Sequence, residues 1–541
     1  MTLSAFLEHW SLAENPFRGE EARQDPVFTR LASLPPTVPS DRPFGAIGTP
    51  RPGSRVQHPD FEKIVGDFGR PSTAIVFGEK GSGKTAIRLQ LAEHIASYNV
   101  SHPGARVLLL PYDELNTVLD RLHARVLPSL RDKRAGPADT LKQIRLVDHL
   151  DGLFCSVVPR VVDAFLDAPP RTTEAAARVD LGKDPAETRR TARALDKSLR
   201  RDLLCLQAVY DRAEGAEERT AALRRRLGLH RPWLGYVEGG IAYAGWLIPL
   251  SILAAFGQQE NWQFERSGPV WTSAFFIALG VWLVFLLKKI TSERFGLGRQ
   301  AKRLRKQIRV APRSEGSYRE SLRELPPSMR TTQTLPVTDS DDQRYAMLAR
   351  LLRVLAPFGY TGLIIVVDRV DEPTLVSGDP DKMRSVVWPM LNNKFLQQED
   401  VGVKLLLPIE LRHLVFRESA AFFQEARLDK QCTIERLAWS GPMLYDLCNC
   451  RLNAVRPAGA QPISLTDLFA EDVPRADIID ALDQMHHPRD AFKLLYQALA
   501  EHCSNVPTEE ASFKIPRALL DSVKKQQVER VRQLYMGVRP A

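Results

Sequence analysis

The stretch TAIVFGEKGSGKT, residues 73–85, decides the fold of this chain. Its first five residues are an apolar run typical of a buried strand, and residues 78–85 match the pattern GxxxxGK[ST] at every fixed position. The residues that follow repeat apolar side chains at helical spacing, from Leu89 to Ala96. A glycine-rich turn between a strand and a helix can point its backbone N–H groups at an anion. We therefore expect a strand, a phosphate-binding loop and a helix, in this order.

The fixed positions of this loop predict which groups hold a nucleoside triphosphate. The glycines let the loop curl around the β- and γ-phosphates. Lys84 brings a positive charge to the phosphate oxygens and has a predicted catalytic role, and the Thr85 hydroxyl is a predicted ligand of Mg²⁺. The predicted cofactors are accordingly ATP and Mg²⁺. The predicted nucleotide-binding residues of the loop are Gly78, Glu79, Lys80, Gly81, Ser82, Gly83, Lys84, Thr85 and Ala86.

A second buried strand, predicted at 362–367, ends in acidic residues. Asp368 follows five consecutive aliphatic residues and is the predicted second group of the Mg²⁺ shell. Asp371 and Glu372 come just beyond it, and one of them is placed to orient or deprotonate the water that attacks the γ-phosphate. The sequence does not choose between these two acids.

Together, these two motifs resemble the additional-strand class of P-loop NTPases, in which the phosphate-loop strand and the Walker B strand are not sequence neighbours in the sheet. The resemblance implies a parallel α/β sheet and ATP hydrolysis. In many members of the class an acid directly follows the Walker B aspartate, whereas Arg369 follows Asp368 here. The spacing from Asp368 to Asp371 and Glu372 is closer to that of the STAND-type and KAP-type NTPases.

The same resemblance implies two further parts of the site. The predicted strand 403–407 lies where a sensor-1 strand is expected. The segment His487-Pro-Arg-Asp490 opens a predicted helix and resembles a sensor-2 motif, so that Arg489 would reach the γ-phosphate. Arg412 and Arg451 are the alternatives for that contact.

Two uncharged apolar runs, 239–256 and 269–287, separate the two Walker motifs. As helices they would span about 27–29 Å, close to the ~30 Å of a hydrocarbon core. Basic residues crowd their outer flanks, so the positive-inside rule predicts a two-pass transmembrane hairpin over 234–288. We expect a protein of the inner membrane with both large portions in the cytoplasm and the lipid bilayer as a partner. The hairpin's position also resembles the KAP family; the alternative is a helical hairpin buried in a soluble protein.

The composition of the 541 residues is ordinary for a folded protein, with 44% hydrophobic and 26% charged residues. It excludes a wholly disordered, collagen-like or polytopic membrane protein. The net charge is +9, from 74 Lys and Arg against 65 Asp and Glu, and much of the excess lies beside the predicted hairpin. The net charge therefore allows a nucleic acid as a partner but does not favour one. Six cysteines are too few for a disulfide framework and favour a reducing compartment.

We expect an α/β P-loop NTPase with a parallel sheet of the additional-strand type, interrupted by a helical insertion that carries two transmembrane helices. The predicted function is a membrane-anchored ATPase that acts as a conformational switch in a homo-oligomer, and the KAP resemblance implies phage defence or stress signalling. The alternatives are a membrane scaffold that binds nucleotide with negligible turnover, and a membrane-tethered, initiator-like ATPase that binds DNA. The predicted segments are an N-terminal segment with a proline-rich loop (1–60), the first half of the NTPase (61–113), a helical insertion (114–233), the transmembrane hairpin (234–288), a basic helix and linker (289–340), the second half of the NTPase (341–440) and a helical C-terminal region (441–541).

Overall fold

The chain forms two compact units in the computed structural model. The first unit comprises 1–115, 174–177 and 362–541, and the second comprises 116–173 and 178–361. The predicted proline-rich loop, which includes Pro35 to Pro52, lies outside the described residues. The described residues are 1–19, 21–32, 56–130, 134–182, 184–229, 240–259, 269–290, 296–331, 333–457, 459–507 and 512–535.

The first unit is built on a parallel sheet of five strands in the order β2-β3-β4-β1-β5. β4 lies between β1 and β3, with Gly78 opposite Pro408 and Val367 opposite Leu405. The strand before the glycine-rich loop and the strand before Asp368 are therefore separated by one other strand. The strands are β1 (Ala74–Gly78), β2 (Arg106–Tyr112), β3 (Tyr360–Val367), β4 (Val401–Pro408) and β5 (Cys432–Ile434).

Burial on both faces explains why these apolar runs form strands. All of β1 and β4 is buried, as is β3 from Gly362 onward, and parallel strands covered on both faces carry continuous aliphatic runs. The helix Lys84–Ser101 covers one face with Ile87, Leu91 and Ile95. Because the strands are parallel, their carboxyl ends meet at one edge of the sheet. That edge brings the loop after β1 close to the acids after β3.

The C-terminal helices of the first unit share one apolar core with its N-terminal segment. Phe6, Leu444 and Leu494 are fully buried in this core. The N-terminal helix Pro26–Ala32 consequently packs against the helix Gly441–Ala454. The helices of this unit are Leu3–His9, Pro26–Ala32, Phe61–Val65, Lys84–Ser101, Pro380–Val387, Asn393–Leu396, Ile409–Phe416, Ala420–Ala426, Gly441–Ala454, Arg475–Asp483, Pro488–Asn505 and Arg517–Tyr535.

The second unit is helical, and it contains buried ion pairs. Arg344 Nη2 lies 3.0 Å from Asp151 Oδ2, and both side chains are fully buried. Tyr210 donates a hydrogen bond of 2.7 Å to the same carboxylate. These pairs hold helices together because a buried charge is stable only with its partners in place. The helices of this unit are Leu115–Val126, Pro137–Leu141, Leu146–Phe165, Pro185–Ala194, Lys197–Tyr210, Ala216–Arg226, Leu247–Gln259, Pro269–Ile290, Leu297–Gln307, Glu315–Glu324 and Asp341–Leu355.

The predicted transmembrane hairpin over 234–288 is wrong. Among the residues that the structure describes, no helix combines the length and the apolar character that a bilayer crossing requires. The first apolar run is interrupted by a turn at Gly245 and Trp246, and the helix after it, Leu247–Gln259, has 13 residues. Such a helix spans about 20 Å, well short of the hydrocarbon core. The two transmembrane helices of the predicted fold class and the predicted two-pass inner-membrane location are wrong for the same reason.

Candidate functional site

The loop after β1 has a backbone geometry that requires glycine. Gly81 and Gly83 both have a φ of +97°, in the left-handed region that other residues rarely adopt. Gly83 also caps the helix Lys84–Ser101. A Cβ added to Gly78 would lie 2.5 Å from Ser82 Oγ, closer than real contacts allow. The three glycines therefore let the loop curl tightly at the N-terminus of the helix, where backbone N–H groups favour an anion.

Lys84 is held by the loop itself and lies among acids. Its Nζ donates to the carbonyl oxygens of Gly78 at 2.6 Å and Glu79 at 3.0 Å. Burial lowers the pKa of Lys84, and nearby carboxylates oppose that change by stabilising the ammonium. These carboxylates are Asp368, Asp371 and Glu410. Glu410 was missed by the sequence analysis, although it lies in the first turn of the helix that follows β4.

Asp368 and Thr85, which are 283 residues apart in sequence, meet at the edge of the sheet. Thr85 Oγ1 donates a hydrogen bond of 2.9 Å to Asp368 Oδ2. Burial raises the pKa of Asp368, whereas the bond from Thr85 and the charge of Lys84 act in the opposite direction. A hydroxyl and a carboxylate are the oxygen donors that Mg²⁺ prefers. Among the described residues no group of three or more His, Cys, Asp and Glu could hold a metal by itself, so phosphate and water would have to supply its other ligands.

The two acids beyond Asp368 differ in their surroundings. Asp371 and Glu372 both line the cavity that contains Lys84. The side chain of Glu372 is 43% exposed and pairs with Arg369, whose Nη2 lies 2.5 Å from Glu372 Oε2. Asp371 is half-buried, and its charge acts directly on Lys84. The geometry therefore favours Asp371 as the acid that faces the phosphate-binding loop.

Three side chains from the C-terminal part of the chain hold this loop through contacts that the sequence analysis did not predict. His487 Nε2 is hydrogen-bonded to Glu79 Oε2, and Arg436 Nη2 lies 2.8 Å from Glu79 Oε1. Trp439 Nε1 donates to Ser82 O at 2.8 Å. Burial lowers the pKa of His487, and the charge of Glu79 partly offsets this. No local motif could have revealed these contacts, because more than 350 residues separate each partner from the loop.

The three candidate arginines occupy different places. Arg489 lies over the loop, since a Cβ added to Gly81 would come within 2.9 Å of Arg489 Cβ. Its buried Nε has no hydrogen-bond partner among the described residues. Arg412 forms an ion pair with Glu435 at the surface, with Nη2 2.5 Å from Oε2. Arg451 lines the cavity and donates to the N-terminal segment.

The cavity extends from the phosphate-binding loop to the N-terminal helix. It is an open cavity that both the loop residues Lys84 and Thr85 and the N-terminal residues Phe28 and Leu31 line. One end contains the loop and the acids after β3. Trp439 lies beside the loop, and His58 packs against it. The rest of the lining combines the apolar or aromatic residues Phe28, Leu31, Val56, Leu447 and Phe492 with the charged residues Glu21, Arg23, Asp25 and Arg451.

Comparison with known proteins identifies no relative of this chain. No protein-family model, no curated protein and no solved structure matches it. The site is therefore described by its own residues: a glycine-rich loop after β1, three acids after β3, and a cavity that both line.

Proposed function

We propose that this chain is a P-loop NTPase that binds ATP with Mg²⁺ and hydrolyses it. The observation that carries the proposal is the hydrogen bond of 2.9 Å from Thr85 Oγ1 to Asp368 Oδ2. It joins the loop that would bind the phosphates to a buried acid at the end of β3, and these are the two protein groups that P-loop enzymes use to hold Mg²⁺. Lys84 adds the cation that such a site needs.

The proposed hydrolysis depends on position and charge. The loop's N–H groups and the N-terminus of the helix Lys84–Ser101 bind the phosphate oxygens. Lys84 stabilises the negative charge of the reacting phosphates, and a bound Mg²⁺ would neutralise a further part of it. Asp371 orients the attacking water and accepts its proton. Glu372 is the second candidate for that role, which its pairing with Arg369 makes less favourable.

The proposed site is linked to the C-terminal helices by two contacts. Glu79 of the loop is bonded to His487, which immediately precedes the helix Pro488–Asn505. Arg489 lies in the first turn of the same helix, over Gly81. A γ-phosphate that attracts Arg489, and that repels Glu79, would shift this helix when it is bound or lost. We therefore propose that nucleotide state controls the conformation of the C-terminal helices.

Calorimetry with MgATP tests the binding step. Lys84→Met should weaken binding by about 100-fold or more, because it removes charge-assisted hydrogen bonds to phosphate. Lys63→Met is the matched control, since Lys63 is an exposed lysine of the same unit that pairs with Asp60. It should bind MgATP like the wild type. Equal binding by Lys84→Met and the wild type would refute the proposal.

Phosphate release at steady state tests the hydrolysis step. Asp371→Asn should lower turnover by about 100-fold or more while leaving MgATP binding intact, since a positioned base contributes at least that factor. Glu372→Gln should have a smaller effect, because Glu372 is exposed and paired with Arg369. Binding without turnover in the wild type would instead support the alternative of a nucleotide-binding scaffold.

A further inference from the structure

Arg451 carries a buried positive charge whose hydrogen bonds are incomplete. The residue is 2% exposed, its Nη1 lies 2.6 Å from Asp25 Oδ2, and its Nε donates to Pro16 O at 2.8 Å. Nη2 is also buried, and the described residues offer it no hydrogen-bond partner. A buried donor without an acceptor is costly, and more so when it is charged. Because Arg451 lines the cavity, an acceptor on a ligand would complete its hydrogen bonds.

The position of Arg451 relative to the loop follows from one helix. Arg489 lies over Gly81, and Phe492 is three residues further along the helix Pro488–Asn505. Three residues correspond to about 4.5 Å along a helix axis. The guanidinium carbon of Arg451 lies 4.4 Å from the centre of the Phe492 ring. Arg451 thus packs on the helical turn that follows the turn lying over the loop.

The charges around Arg451 argue against a phosphate contact. Asp25 already neutralises its guanidinium, and a phosphate would have to approach that carboxylate. Apolar side chains line the cavity near Arg451. Leu447 lies one turn before it on the same helix, and Phe28 and Leu31 belong to the N-terminal helix that packs against that helix. A flat, weakly charged group fits these surroundings, and Phe492 presents an aromatic ring to it.

We propose that Arg451 is a specificity-determining residue that donates from Nη2 to an acceptor atom on the nucleoside part of the bound nucleotide. The inference rests on the proposed function and adds to it a second recognition point at the end of the cavity away from the phosphates. The acceptor is a ring nitrogen or carbonyl oxygen of the base, or a ribose hydroxyl. Arg489, in contrast, belongs to the phosphate end.

Calorimetry with two ligands separates these roles: MgATP, and magnesium tripolyphosphate, which lacks the nucleoside. The wild type should bind MgATP more tightly than tripolyphosphate. Arg451→Met should weaken MgATP binding by about 10- to 100-fold, the range for a hydrogen bond to a charged group, and should leave tripolyphosphate binding within about twofold of the wild type. Arg489→Met is the matched comparison and should weaken the binding of both ligands.

Either of two results for Arg451→Met overturns the inference: an equal weakening of MgATP and tripolyphosphate binding, or unchanged MgATP binding. Because Arg451→Met leaves Asp25 without its partner, Asp25→Asn/Arg451→Met provides a second variant with neither charge, and it should show the same selective loss. In the wild type, 2′-deoxy-ATP that binds like ATP would assign the acceptor to the base or the 3′-hydroxyl, and weaker binding would assign it to the 2′-hydroxyl. If the wild type binds neither ligand, the proposed function fails as well.

Discussion

Two lysines near opposite ends of β1 have the same hydrogen-bonding pattern. Beyond the carboxyl end, Lys84 Nζ donates to two backbone carbonyls at 2.6 and 3.0 Å. Near the amino end, Lys404 of β4 lies opposite Ala74 and donates to the carbonyls of Val65 at 3.0 Å and Ser72 at 2.7 Å. Burial lowers the pKa of both lysines, and that of Lys404 falls to about 8.

Their surroundings differ. Lys84 is partly exposed to a cavity, and three carboxylates stabilise its ammonium against burial. Lys404 is fully buried, and its Nζ binds Val65 O at the end of the helix Phe61–Val65, where a cation complements the helix dipole. A buried lysine whose hydrogen bonds go only to backbone carbonyls, and that faces no acids or cavity, therefore stabilises the fold. A lysine that also faces a cavity and a group of acids has the features of a ligand site.

The largest expected difference between the two lysines is in nucleotide binding. A non-hydrolysable ATP analogue with Mg²⁺, at about 100 times its Kd, should stabilise the wild type and Lys404→Met by about 2.7 kcal/mol each. It should stabilise Lys84→Met, which lacks the phosphate-binding cation, by no more than about 0.4 kcal/mol. Thermal unfolding with and without the analogue, followed by circular dichroism, measures this. If the analogue stabilised neither variant, the proposed difference between the roles of Lys84 and Lys404 would be refuted.

A smaller difference is expected in the stability of the nucleotide-free protein. Lys404→Met should lower the free energy of unfolding at pH 7 by about 1–3 kcal/mol, because it leaves two buried carbonyl oxygens without this donor. Lys84→Met should cost less than about 1 kcal/mol, since water in the cavity can replace the ammonium at Gly78 and Glu79. Urea unfolding of the two variants and the wild type measures both changes. A larger loss for Lys84→Met would contradict the assignment of Lys404 as the structural lysine.

The strands and the phosphate-binding loop were predictable because local sequence determines them. The runs predicted at 73–77, 362–367 and 403–407 are confirmed as β1, β3 and β4, within two residues at each end. A continuous aliphatic run with turn residues on either side has few alternatives to a buried strand. The glycine positions of the loop carry similar information, since their φ values exclude most other residues.

Long-range contacts and the apolar hairpin were not predictable in this way. Glu79 has partners at His487 and Arg436, and Arg451 reaches the N-terminal segment, through tertiary packing that leaves no periodic signal. For the first apolar run, the transmembrane prediction counted uncharged residues and assumed an unbroken helix. The turn at Gly245 and Trp246 shortens the first helix, and hydropathy does not reveal that interruption. Lys404 was also overlooked, because one lysine within an aliphatic run gives no indication of its partners.

The last expected difference is the smallest per pH unit; it concerns pH dependence and isolates Lys404. Its pKa is lowered from 10.5 to about 8 in the folded protein, so between these values the unfolded chain binds more protons than the folded one. Stability must then increase with pH across this window, by up to about 1 kcal/mol per pH unit from this group. The difference in free energy of unfolding between the wild type and Lys404→Met should therefore grow in favour of the wild type from pH 8 to 10.5. Urea midpoints measured at intervals across that range provide the check, and a constant difference would mean that Lys404 keeps an ordinary pKa despite its burial.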